Sequence, residues 1–187
     1  MRLVIMGPPG AGKGTQAVVV AEALHVPHIS TGDIFRANVS KGTPLGEEAK
    51  RYMDAGEYVP DSVTNAMVRD RIAQDDCVGG FLLDGYPRTL EQVNELDMML
   101  LADRLHLDRV IELTVDTDAV VARLLKRAQE QGRSDDTAEV IRRRLEVYFE
   151  QTAPLIAVYQ DRGLIVEGDG MGDVPEVTAR ILAALGS

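Results

Sequence analysis

Residues 7–15 read GPPGAGKGT, and glycine or proline fills five of the six positions 7–12. The apolar run Arg2–Met6 (RLVIM) leads into this stretch, and Thr15–Leu24 leads out of it with the apolar spacing of a helix. A strand, a glycine-rich turn and a helix in succession form a nest of backbone N–H groups. Such a nest converges on an anion, and the helix N-terminus adds roughly half a positive charge. Lys13 is the only lysine among the first forty residues, and it stands where a cation reaches the outer oxygens of that anion.

The spacing Gly7-x-x-x-x-Gly12-Lys13 matches the phosphate-binding P-loop, with Gly14 where the general motif carries Ser or Thr. Thr15 supplies a hydroxyl one place later. The departure removes the residue that usually bonds magnesium directly. The candidate phosphate contacts are Gly10, Ala11, Gly12, Lys13, Gly14 and Thr15. The plainer alternative is a glycine-rich turn that binds nothing, but the flanking strand and helix favour the phosphate site.

The whole chain sets bounds on the rest. Its 187 residues suit one well-buried domain with small insertions. No apolar stretch approaches the ~20 residues of a membrane span, and residues 1–9 do not read as a signal peptide. Cys77 is alone, which excludes an intramolecular disulfide and a multi-cysteine metal cage. A reduced, cytoplasmic setting is expected. A net charge of −10 argues against broad nucleic-acid binding. Of the twenty basic side chains sixteen are arginine, whose planar fork matches phosphate geometry. Genome composition explains that ratio equally well, so positions must decide.

Five apolar runs alternate with helical patterns: Arg2–Met6, His28–Thr31, Phe81–Asp84, Arg109–Val115 and Gly163–Glu167. Strands alternating with helices indicate a mostly parallel α/β sheet. Helices are expected at Asp61–Ala73 with Asp61 as cap, at Thr89–Leu101 and Thr117–Glu130, and over Asp135–Asp161. Thr89-x-x-Gln92 and Asp173-x-x-Glu176 both read as capping boxes. Pro154 should bend or interrupt the long helix. Residues 32–60, broken at Lys41–Pro44 and at Gly56, and the polar segment 129–136 fit the alternation poorly, and look like appendages on the sheet.

Three further stretches, with the opening one, make the chain familiar. GPPGAGKGTQ, STGDIFR at 30–36, DGYPRTLEQ at 84–92 and RSDDTAEVIRRRLEVYFEQTAPLI at 133–156 together resemble the adenylate kinases, in the right order and over essentially the whole length. The resemblance implies a three-layer P-loop fold with a five-stranded parallel sheet. It divides the chain into a core (1–29, 60–125, 137–187), an acceptor-binding helical insertion (30–59) and a short lid (126–136). It implies reversible phosphoryl transfer from MgATP to AMP giving two ADP, magnesium but no zinc, and a monomer with no membrane or nucleic-acid partner. A UMP/CMP kinase and a non-catalytic P-loop module are the competing readings.

By the same resemblance Lys13, Arg88, Arg127, Arg133 and Arg144 surround the phosphates. Arg88 has independent support, at the C-terminal end of a strand. Spacing alone does not choose among Arg142, Arg143 and Arg144. Asp84 is implied to hold magnesium through water, in keeping with that ion's reluctance to dehydrate, with Asp33 as a second candidate. Asp135 and Asp136 could hold the lid shut. The acceptor side is implied to use Thr31, Gly32, Arg36, Glu57, Tyr58, Val59, Gly85, Tyr86, Pro87, Arg88, Gln92, Arg133 and Arg144, with Met53 beside the adenine. The donor side adds Arg127 and Gly172. Gln92 has a second reading as the partner of Thr89 in the capping box. Tyr86–Pro87 is a candidate cis peptide.

Overall fold

Apolar runs without alternation have no polar face to offer solvent, so they must become strands covered on both sides. In a computed structural model, which describes residues 1–131 and 137–186, they do so. β1 (Arg2–Met6), β2 (His28–Ser30), β3 (Phe81–Asp84), β4 (Arg109–Thr114) and β5 (Ile165–Asp169) form one sheet in the order β2-β3-β1-β4-β5. Every neighbouring pair is parallel. β1 is central, with Ile5 opposite Asp84 on one side and Met6 opposite Glu112 on the other.

The period-two alternation of strand side chains splits the core into two layers. Leu3, Ile5, Leu82, Ile111 and Leu113 pack against α1 (Lys13–Ala23) and α9 (Val174–Leu185). Val4, Met6, Leu83 and Val110 face α4 (Asp61–Ile72), α5 (Leu90–Ala102) and α8 (Pro154–Asp161). Leu3 and Leu83 are wholly buried, and truncating either to alanine costs about 2–5 kcal/mol. All five strands run the same way, so the loops after β1, β2, β3 and β5 emerge at one edge. That edge is where open α/β sheets bind ligands.

Two helices, α2 (Thr31–Lys41) and α3 (Pro44–Ala55), project between β2 and α4 with a small core of Phe35, Ala49 and Val59. Gly42 and Gly56 end them in the left-handed conformation, at the two breaks expected from sequence. α6 (Thr117–Gln131) and α7 (Ala138–Val147) follow β4.

Some sequence expectations shift. β5 runs two residues later than Gly163–Glu167, because Gly163 turns at φ 69 to close α8 and its N–H donates to Gln160 O. The long helix expected over Asp135–Asp161 is interrupted just before Pro154, by a π-helical turn over Tyr148–Thr152 in which Ala153 N donates to Tyr148 O at 2.9 Å. Asp61 is not the cap of α4. Pro60 holds that position, and the Asp61 carboxylate instead accepts from Thr89 Oγ1 and Gln92 Nε2. Asp173 stands at the cap of α9 but makes no side-chain cap bond, so the second capping box is not formed.

Candidate active site

The glycine loop after β1 delivers α1 with an uncapped N-terminus. Gly12 occupies the N-cap at φ 95, and apart from its chain neighbours no atom of the described residues lies within 4 Å of where its Cβ would stand. That open space, beside N–H groups lacking a side-chain partner, is what an incoming phosphate requires. Lys13 folds over the loop, its Nζ donating to Gly7 O at 2.8 Å and Pro8 O at 3.0 Å. Burial pushes this ammonium down to about 8. Asp84 opposes the shift, while the guanidinium groups of Arg88, Arg144 and Arg127 add to it. The depressed value thus reflects burial first, with the three nearby guanidinium groups adding to it.

β3 supplies the second wall. It ends at Asp84, 8 % exposed, and the chain then turns through Gly85 and the cis peptide Tyr86–Pro87 to Arg88. A Cβ on Gly85 (φ 82) would meet Thr31 Oγ1 at 2.7 Å and Arg88 Nη2 at 2.9 Å, so only glycine fits. Thr31 Oγ1 and Arg88 Nε both donate to Gly85 O, at 3.0 and 2.7 Å. The Asp84 carboxylate accepts no hydrogen bond from any described residue. Among those residues, no group of three His, Cys, Asp or Glu could cage a metal. One hard carboxylate facing a phosphate site, with no further protein ligands, fits hydrated Mg²⁺, which keeps several of its waters.

The helical insertion closes the opposite side. Ser30 Oγ, not Asp33, caps α2 by accepting from Asp33 N, and the Asp33 carboxylate pairs with Arg36 at 2.6 Å. The exit of the insertion is tied to α7 and the π-helical turn. Glu57 accepts from Arg143 Nε at 2.6 Å, and Tyr58 OH lies 2.6 Å from Thr152 Oγ1. Thr152 Oγ1 donates in turn to Arg88 O, while the Arg88 guanidinium sits 4.9 Å over the Tyr58 ring. Gln92 is 1 % exposed, its Oε1 accepting from Arg88 N and its Nε2 donating to Asp61. The capping box is therefore half formed. Thr89 caps Gln92 N, but the return arm goes to Arg88 N.

Two clefts result. One is lined by Thr31, Gly32, Arg36, Met53, Glu57, Tyr58, Val59, Gly85, Tyr86, Pro87, Arg88, Gln92 and Arg144. The other is lined by Gly10–Thr15, Asp84, Arg127 and Gly172. Lys13, Arg36, Arg88 and Arg144 line both, so they mark the junction. Of the three consecutive arginines, Arg142 is exposed, Arg143 is engaged by Glu57, and Arg144 faces the junction. Met53 lines the first cleft and also packs on the insertion core. Arg133, Asp135 and Asp136 lie outside the described residues, as does the greater part of the 129–136 segment.

Sequence reasoning missed Arg123, Arg180 and His28. Arg123 Nη1 and Nη2 donate to Ala11 O and Gly170 O, stitching the glycine loop to the turn after β5. Arg180 holds the same turn through Asp169 O and Met171 O, both at 2.7 Å. The signal for Arg123 was its position one helical turn before Arg127 on the same face of α6.

A central parallel strand, a glycine loop with a half-buried lysine, and two clefts sharing a cationic junction define a P-loop protein that brings two phosphorylated ligands together. The adenylate kinase family model matches residues 5–164. Similar proteins include adenylate kinases from Nocardioides sp., 68% identical over 99% of this chain and 97% of that protein, and from Kocuria rhizophila, 64% identical over 98% of each. Another is that of Thermobifida fusca, 57% identical over 100% of this chain and 99% of that protein. The chain belongs to the adenylate kinase family.

Proposed function

We propose that this protein transfers the γ-phosphoryl group of MgATP reversibly to AMP, giving two ADP. The observation that carries the reading is the placement of Lys13, Arg88 and Arg144 in both clefts at once. A donor in the glycine-loop cleft and an acceptor in the insertion cleft would meet there through their phosphate ends. An oxygen of the AMP α-phosphate attacks the γ-phosphorus as the bond to the ADP oxygen breaks. The attacking oxygen is already ionised, so no strong general base is needed. The loose transition state spreads charge over the transferred oxygens, and fixed cations stabilise it.

Each group has a role in this scheme. The glycine loop, Lys13 and Arg127 hold the donor phosphates, with Gly172 beside the donor base. Thr31, Gly32, Arg36, Gly85–Arg88 and the backbone of Glu57–Val59 hold the acceptor. Arg88 and Arg144 span the transferring group, and Arg133 joins them by resemblance alone. Magnesium, when bound with ATP, neutralises phosphate charge, and Asp84 would hold it through water. We assign residues 30–59 as the acceptor-binding insertion and 126–136 as the lid, both excluding water around the reacting pair. A monomer is expected from the family resemblance. The lone thiol of Cys77 suits a reducing cytoplasm.

The test mixes protein, ATP, magnesium and AMP and follows ADP, with AMP omitted in one arm and replaced by UMP or CMP in others. ADP should form rapidly with AMP alone among the acceptors. Equal nucleotide turnover without any acceptor would contradict the reading.

A further inference from the structure

His28 opens β2, and Asp84 ends β3 beside it. In the register of these strands His28 lies opposite Leu82 and Ser30 opposite Asp84. Side chains two apart share a face, so all four project from the α1 side of the sheet. The imidazole leans along that face until Nε2 stands 3.6 Å from Asp84 Oδ2, both side chains being largely buried. His28 Nε2 is itself a buried nitrogen with no hydrogen-bond partner among the described residues. Orphaned buried polar atoms are rare enough that each requires a cause. Here the nearest charged oxygen lies just beyond hydrogen-bond range.

The other flank of the carboxylate sharpens the point. A Cβ built on Gly14 would stand 3.6 Å from the same Oδ2. The general glycine-loop motif carries a hydroxyl side chain at this position, and this chain carries none. Oδ2 therefore has bare backbone on the loop side and the imidazole on the other.

We propose that His28 is a positioning residue. Its Nε2–H, in the neutral ring, donates to Asp84 Oδ2 when MgATP binds, and so fixes the rotation at which the carboxylate meets the hydrated cation. The inference rests on the role given to Asp84 above. His28 lines the donor cleft, and in this assignment it acts through Asp84 rather than on the nucleotide or the metal.

The experiment measures dissociation constants by calorimetry for manganese-loaded ATP and for metal-free ATP, with Mn²⁺ occupancy followed by electron paramagnetic resonance. Groups that orient a metal's protein partners are worth roughly tenfold to a hundredfold in affinity. His28→Ala should weaken Mn·ATP about tenfold and leave metal-free ATP within about twofold. His28→Gln, which keeps an N–H donor, should recover most of the loss. Adding His28→Ala to Asp84→Asn should cost nothing more.

Equal loss for both forms of ATP would mean direct contact with the nucleotide and overturn the proposal. So would unchanged Mn·ATP binding in His28→Ala when Asp84→Asn weakens it. Unchanged binding in Asp84→Asn would instead overturn the Asp84 role and this inference with it. Nitrogen-15 NMR of the unmutated protein with MgATP decides the matter even where a variant fails to fold. A neutral ring protonated at Nε2 supports the assignment, and a neutral ring protonated at Nδ1 contradicts it.

Discussion

The two clefts that meet over Lys13 are built from different materials. The donor cleft is centred on main chain: six consecutive residues, Gly10–Thr15, wrapped around the uncapped start of α1 and braced by Arg123 and Arg180 on the turn after β5. The acceptor cleft is largely side chain, collected from segments around 31, 58, 88, 144 and 152 and linked by bonds that cross between them. The first depends on local backbone conformation. The second depends on the tertiary structure holding distant side chains in register. Substitutions should therefore act differently on the two sides, and most severely where the sides overlap.

Arg88 lies in the overlap. Arg88→Ala should reduce kcat by roughly 10³–10⁵, the range of arginines that stabilise a transferring phosphoryl group. It should do so at saturating concentrations of both nucleotides in a coupled assay. A near-normal rate would place the junction elsewhere.

Gly85 lines both clefts, but Gly85→Ala should act chiefly on the acceptor side, where its methyl meets Thr31. The new methyl would crowd Thr31 Oγ1 and Arg88 Nη2 at a backbone angle of φ 82. Strain of about 1–3 kcal/mol should appear as a fall of roughly tenfold to a hundredfold in kcat/KM for AMP. The calorimetric affinity for ATP should barely move. If both nucleotides suffer equally, the clefts are not separable in this way.

On the donor side the sharper probe is pH. Unfolding returns Lys13 from about 8 to the ordinary 10.5. Between those values the unfolded chain holds a proton the folded chain has lost, so the folded state gains stability as pH rises through that window. The penalty is fully present below pH 8. A bound polyphosphate restores the charge, so ATP binding near pH 9 should take up a proton. Calorimetry in buffers of different ionisation enthalpy reads that uptake, and Lys13→Met should abolish it.

The smallest effect concerns the Glu57–Arg143 pair between the insertion and α7. Both partners are more than a third exposed, and exposed ion pairs contribute little. Arg143→Ala should raise the KM for AMP only about twofold to threefold, less at high salt, with kcat and the KM for ATP unchanged.

This contrast also accounts for what the sequence made legible. A contiguous glycine loop between an apolar run and a helix announces itself, and so do doubly covered strands, because the physical cause lies within a few adjacent residues. The two breaks of the insertion at Gly42 and Gly56 were readable for the same reason. The acceptor cleft was not readable from local chemistry. Nothing around Arg144 distinguishes it from Arg142 and Arg143 until α7 is set against the glycine loop, and only the family resemblance chose it. The Asp61 carboxylate looked like a helix cap because its sequence neighbours gave no sign of Thr89 and Gln92. His28 was hidden in a short, weakly apolar strand, and its neighbour Asp84 lies 56 positions away.

The central claim is that one set of cations serves both nucleotides. The most direct measurement is the calorimetric affinity of Arg144→Ala for a compound joining two adenosines through five phosphates, compared with ATP alone. Losing a charged partner that spans both clefts should weaken the linked compound at least about thirtyfold, and ATP considerably less. Wild-type affinity for the linked compound in that variant would contradict the account.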